Sequence, residues 1–214
     1  TIVMPALLER MGQHLGGDTV RRIGEQIGAD AETTQRTLAV ALPVLIGALA
    51  RHANASRRGA EALATALERD HDGSLLDVLD DVLHRSARGA GLGDATSGYP
   101  GGYTIDPRTI DGDGIVAHLL GERRSAVELG ISRASDMDVK KVNRLLAVLA
   151  PILMSGLGRI MRERSLSADG VASLLNKERA AIEREVPDRS RIGLLDFLDE
   201  EDEGSLADDV AQIG

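Results

Sequence analysis

Apolar residues return along this chain at three- and four-residue steps: Val20, Ile23 and Ile27; then Leu38, Leu42, Leu45, Ile46 and Leu49; then Leu63 and Leu67. That spacing gathers them on one face of an α-helix, and the alternation that marks a strand is nowhere sustained. The pattern predicts helices over about 18–28, 31–52, 57–69 and 74–86, preceded by a short one over about 2–14. A second set follows over about 113–121, 123–133, 137–163, 167–184 and 191–199. Asp30 and Asp138 stand just ahead of the longest helix of each set, where a carboxylate can accept the unpaired N–H groups of the first turn.

The two sets are related in sequence. Leu38-Ala39-Val40-Ala41-Leu42-Pro43-Val44-Leu45-Ile46-Gly47-Ala48-Leu49-Ala50-Arg51 returns 108 residues later as Leu146-Ala147-Val148-Leu149-Ala150-Pro151-Ile152-Leu153-Met154-Ser155-Gly156-Leu157-Gly158-Arg159. Seven of the fourteen positions are identical, and Pro43 and Pro151 are in register. The match runs on without a gap through Ala60/Ala168, Ala64/Ala172 and Leu67/Leu175, and a later echo pairs Leu75-Leu76-Asp77 with Leu194-Leu195-Asp196. A repeated unit that cannot bury its apolar face alone buries it against its copy.

The expectation is therefore an all-α fold: two homologous helical repeats packed as a pseudo-two-fold helical bundle. An internal proline removes an intrahelical hydrogen bond and clashes with the preceding turn, so a kink or a break is expected near Pro43 and Pro151. The small residues just beyond them, Gly47 and Ala48 or Ser155 and Gly156, would let the two central helices cross closely. The alternative is that each is merely the core of its own bundle. The chain divides accordingly into a first repeat, 1–87, a glycine-rich linker, 88–111, a second repeat, 112–200, and an acidic C-terminal tail, 201–214.

Composition narrows the function classes. Tyr99, Tyr103 and Phe197 are the only aromatics, so the core is aliphatic and there is no stacking platform for single-stranded nucleic acid. A formal charge of −9 repels phosphates, and the basic residues Arg123, Arg124, Arg133, Lys140, Lys141 and Arg144 are interleaved with acids. With no cysteine there is neither a disulfide framework nor a thiolate, which suits a cytoplasmic location. The longest apolar runs are about thirteen residues, short of the ~20 that cross a bilayer, and no secretory signal pattern opens the chain.

The segment Gly112-Asp113-Gly114-Ile115-Val116-Ala117-His118-Leu119-Leu120-Gly121, followed by Ala126-Val127-Glu128-Leu129-Gly130 and by the apolar helix with Leu149-Ala150-Pro151-Ile152, resembles the YidB-like family of bacterial proteins. The resemblance is good over about 112–180 and looser over about 1–87. It implies a bacterial origin and an all-α fold, and it brings no catalytic residues to carry over.

Two Asp-x-Asp-Gly turns are the main candidates for chemistry: Asp70-His71-Asp72-Gly73 and Asp111-Gly112-Asp113-Gly114. Calcium favours carboxylates one residue apart on a glycine turn, and Asp81 is twelfth from Asp70, where an EF-hand closes. Yet Gly73 falls fourth instead of sixth, and the closing acid is not the bidentate glutamate. The simpler reading has Asp72 and Asp113 capping helices. His14, His52, His71, His84 and His118 include no pair at helical spacing that would hold zinc, and His118 is expected to pack, hydrogen-bonding a neighbouring helix end. Ser74, Ser125 and Ser155 lack a nucleophile-elbow context. No catalytic, cofactor-binding or metal residue is assigned and no cofactor is implied. The expectation is a non-enzymatic interaction or assembly protein that forms a homo-oligomer or binds another protein, with no nucleic-acid partner and no transmembrane segment. The alternative is a small-ligand or divalent-cation binding module that uses the Asp-x-Asp-Gly turns.

Overall fold

The structure, a computed structural model, describes residues 5–86, 99 and 104–185. The expected helix at 191–199, the acidic tail and most of the glycine-rich stretch lie outside the described residues. Among those described, all regular structure is helical: α1 (Ala6–His14), α2 (Gly17–Ile27), α3 (Ala31–Ala55), α4 (Arg57–Asp70), α5 (Ser74–Asp77), α6 (Leu79–Ser86), α7 (Gly112–Leu120), α8 (Arg124–Ser135), α9 (Val139–Glu163) and α10 (Ala168–Glu185). A 3-10 turn, Gly121–Arg123, joins α7 to α8. The stretch expected as one helix over 74–86 is two, parted at Val78.

Local chemistry sets the boundaries. Asp30 accepts the Thr33 N–H at 2.8 Å and Asp138 accepts that of Lys140 at 2.9 Å, so both expected caps are in place. Each lies just after a left-handed residue that ends the preceding helix, Gly28 with φ 78° and Asp136 with φ 58°. Ser56 closes α3 and opens α4 at once, accepting from the Gly59 N–H.

The helices α3 and α9 are each 25 residues long and run unbroken through Pro43 and Pro151, so neither proline breaks its helix. Both helices are long and apolar enough to cross a bilayer by length and composition alone, whereas the uninterrupted apolar runs are shorter. Of their most apolar windows, 61% and 83% respectively is buried within the structure. Every buried position of α3 has a buried counterpart 108 residues on in α9, from Thr34/Val142 to Ala53/Met161. Along α4 and α10 the same register pairs buried Leu63 with Val171, Ala64 with Ala172 and Leu67 with Leu175.

The packing differs from the expected central crossing. The two proline helices do touch, but α3 lies chiefly on α10 and α4, while α9 lies chiefly on α7 and α8. Gly156, expected to admit α3, instead seats α1: a Cβ there would run into the Met11 side chain. Gly112 brings the start of α7 against the Ala147 carbonyl of α9, and Gly158 brings α9 against the His71 carbonyl at the end of α4. Ile105 and Ile110, leading into α7, are buried in the same core as Leu45, Leu49 and Leu153.

Candidate functional site

Two of the acidic turns meet. Asp70 and His71 end α4, Asp111 opens α7, and the Thr109 hydroxyl donates to the Asp70 carbonyl at 2.6 Å, tying the second turn to the first. Between them lies a cavity of about 290 Å³. Ala62, Leu63 and Ala66 of α4, Ile115 and Leu119 of α7 and Met154 of α9 form its apolar wall. The polar groups on it are Asp70, Asp111, Arg108 and three imidazoles, His52, His71 and His118.

The histidines come from three different segments, which is why no spacing in the sequence joins them. The rings of His52 and His118 meet edge to face with centroids 4.8 Å apart. His118 is exposed, and the contact it makes is with another imidazole where a neighbouring helix end was expected. His71 is 3% exposed and its Nδ1 has no hydrogen-bond partner. Burial pushes the His71 imidazole below its ordinary pKa, with Asp70 and Asp72 opposing in part. Burial does the same to His52, and His118 adds to it.

The carboxylates divide by role. Asp111 Oδ1 accepts the Gly114 N–H at 3.0 Å, so Asp111, and not Asp113, is the cap of α7. The reason is position: Asp111 precedes the helix and can fold back on its first turn, whereas Asp113 lies within that turn and pairs outward with Arg124 at 2.7 Å. Asp72 accepts from the N–H of Ser74 at 2.9 Å and from its hydroxyl, which holds the turn into α5, but the N-cap position is Gly73 and not Asp72 as expected. Its hydrogen bonds with Ser74 hold its carboxyl below the usual range. Asp70 pairs with the exposed Arg69 at 3.2 Å. Asp81, the twelfth residue of the EF-hand-like count, lines a separate hollow with His14 and Asp77. Among the described residues no three His, Asp or Glu side chains are grouped as metal ligands would be.

Two buried carboxylates escaped the sequence reading. Glu128 on α8 receives Arg124 and Asn143, each at 2.9 Å. Glu178 on α10 is 2% exposed and accepts the backbone N–H groups of Leu7 and Leu8, capping α1 from the far end of the chain. Burial holds the Glu178 carboxyl above its ordinary pKa, against the lowering effect of those two N–H groups. The 108-residue register supplies a sequence signal for it, since Glu178 is the counterpart of Asp70. Ser155, at the small-residue stretch of α9, is fully buried with its hydroxyl unpartnered.

These features define an all-helical protein with a small, mostly apolar cavity whose lining residues include no hydroxyl or thiol side chain. Its sequence belongs to a bacterial family of proteins of unknown function, DUF937, whose pattern matches residues 9–159. The match is consistent with the YidB-like resemblance, and it runs once through both proline helices. No curated protein and no solved structure matches the chain.

Proposed function

We propose that this chain is a non-catalytic helical module that binds a small molecule in the cavity between α4, α7 and α9. The observation that carries the reading is the meeting of the Asp70–His71 turn and the Asp111 turn on one cavity, with the buried Nδ1 of His71 unpartnered. Small-molecule sites are typically concave and apolar with a few convergent polar groups. An organic ligand suits the wall better than a divalent ion, because the wall is largely aliphatic and, among the described residues, no three His, Asp or Glu side chains are grouped as metal ligands would be. The test is a set of small organic fragments followed by thermal denaturation and by NMR of His118 and Met154, with Ala66→Leu filling the cavity. Saturable binding that Ala66→Leu abolishes supports the reading. No binding, or binding indifferent to Ala66→Leu, overturns it. Millimolar calcium is expected to leave Tm unchanged, since a ligand of the native state alone would raise it by RT ln(1 + [L]/Kd).

A second reading, self-association, rests on an asymmetry between the long helices. Ala150 and Pro151 of α9 are buried, whereas their α3 counterparts Leu42 and Pro43 are partly exposed and Ala39 beside them is exposed. The shared register of caps and buried positions supports two related units about a pseudo-two-fold axis. A second copy of the chain could cover the face of α3 that the first leaves open. Light scattering across protein concentration and salt tests it: mass rising with concentration, and more steeply as salt screens the charge of −9, supports association. A constant mass near 22.7 kDa refutes it.

A further inference from the structure

The ligand-binding reading can be taken one step further, to the charge of the ligand, and the step rests on that reading. The 108-residue register places Asp70 opposite Glu178. Glu178 spends its carboxylate on two N–H groups at the start of α1. At the other site α7 is capped by its own Asp111, so Asp70 faces the start of a helix that makes no demand on it. Among the described residues its ion pair is with Arg69, adjacent in sequence and exposed, and such pairs hold weakly.

Asp111 caps through Oδ1, which leaves Oδ2 without a hydrogen bond of its own among the described residues. Two carboxylates thus border a cavity that is otherwise mostly aliphatic. Beside them lies His71, at 3% exposure and with its Nδ1 unpartnered. An anion is disfavoured, because Asp111 already occupies the helix N-terminus that would attract one. Arg108, on the wall, offsets one of the two negative charges.

We infer that the cavity takes a small organic amine, its apolar body against Leu63, Ile115 and Met154 and its ammonium between Asp70 and Asp111. A volume of about 290 Å³ falls just below the range of about 300–1,000 Å³ usual for small-molecule sites, so the body is compact. Benzylamine, benzyl alcohol and benzoate share one ring and differ in charge, and they are the probes. Titration calorimetry on the full chain should show benzylamine binding at least about tenfold more tightly than benzyl alcohol, as hydrogen bonds to charged groups outweigh neutral ones. Benzoate should bind least. In the double variant Asp70→Asn/Asp111→Asn the preference for benzylamine over benzyl alcohol should vanish. The amide introduced by Asp111→Asn retains an acceptor for the Gly114 N–H, and an unchanged Tm would show the fold intact. If benzyl alcohol or benzoate binds the wild type as tightly as benzylamine, the amine assignment fails while the cavity stands as a binding site. If none of the three binds and the broader fragment set is also silent, the binding reading itself fails. A preference for benzylamine that survives in the folded double variant overturns the roles of Asp70 and Asp111.

Discussion

Replacing Glu178 with alanine strips α1 of its cap. Pro5, at the N-cap position, offers no side-chain acceptor, so the Leu7 N–H depends on Glu178 Oε1 at 2.8 Å and the Leu8 N–H on Oε2 at 3.4 Å. Losing a cap costs about 1 kcal/mol, and leaving a buried amide unpaired costs about 1–3 kcal/mol. The two figures describe the same bond and do not add. Removing a carboxylate that burial disfavours gives some of it back, for a net loss of about 2 kcal/mol. In a chain of this size that is about 4–8 °C in Tm.

Glutamine separates geometry from charge. Glu178→Gln keeps an oxygen for the Leu7 N–H and removes the desolvated charge, so it should be as stable as the wild type, or more so, at pH 7. The pH dependence follows from the raised folded-state pKa. The folded protein holds the proton more tightly, so the favourable contribution of Glu178 is complete below the unfolded value of about 4.3 and is lost as pH rises through the folded one. Glu178→Gln should therefore match the wild type at the acid end and gain on it across that window. Urea denaturation followed by far-UV circular dichroism on both sides of the window measures the difference, and hydrogen exchange at Leu7 and Leu8 reports the cap directly. Equal losses for alanine and glutamine would show that the charge is essential and refute the reasoning. A loss below about 0.5 kcal/mol for alanine would show that α1 is held by other means.

Leu45→Ala and Leu153→Ala, at positions 0% and 1% exposed, should each cost about 2–5 kcal/mol in urea denaturation through the cavities they leave; a loss near zero at either would remove it from the core. Gly158→Ala should cost at least about 1–3 kcal/mol by forcing a methyl against the His71 carbonyl, while Gly12→Ala, with open space around it, should gain about 0.5–1 kcal/mol. The opposite order in thermal denaturation would contradict the close approach of α9 to α4. Stability should fall as pH drops from 7 through the imidazole range near about 6.5, because the lowered folded-state pKa of His71 opposes protonation of the folded form. His71→Gln should flatten that slope, and an unchanged slope would refute the role of His71.

How much of this was legible in the chain depends on whether a signal was local. Helix positions followed from three- and four-residue apolar steps, and Asp30 and Asp138 followed from the capping position itself, since each acts on residues within one turn. The neighbours of each helix did not follow. Small residues at Ser155 and Gly156 signal a close approach without saying to what, and Gly156 proved to seat Met11 of α1 where α3 was expected. Asp111 caps α7 where Asp113 was expected to, because the exact start of the helix decides which carboxylate can fold back on its first turn. The cavity was least legible: His52, His71 and His118 converge from segments far apart in sequence, so no spacing rule joins them. Glu178 was within reach, because the repeat register aligns it with Asp70 in one of the two turns already singled out.

The cap on α1 also bears on the order in which the chain can fold as it is made. The acceptor for the Leu7 N–H lies 171 residues downstream, and the main packing partner of α3 is α10. Contacts of such sequence separation form late, because loop closure must come before they can stabilise anything. During synthesis, at about 5–20 residues per second, the apolar face of α3 therefore emerges several seconds before the helix that covers it. Over that interval Leu38, Leu45 and Leu49 are open to association with other nascent chains or to capture by a holdase. Truncation ahead of α10 should leave a chain that aggregates instead of a smaller folded domain.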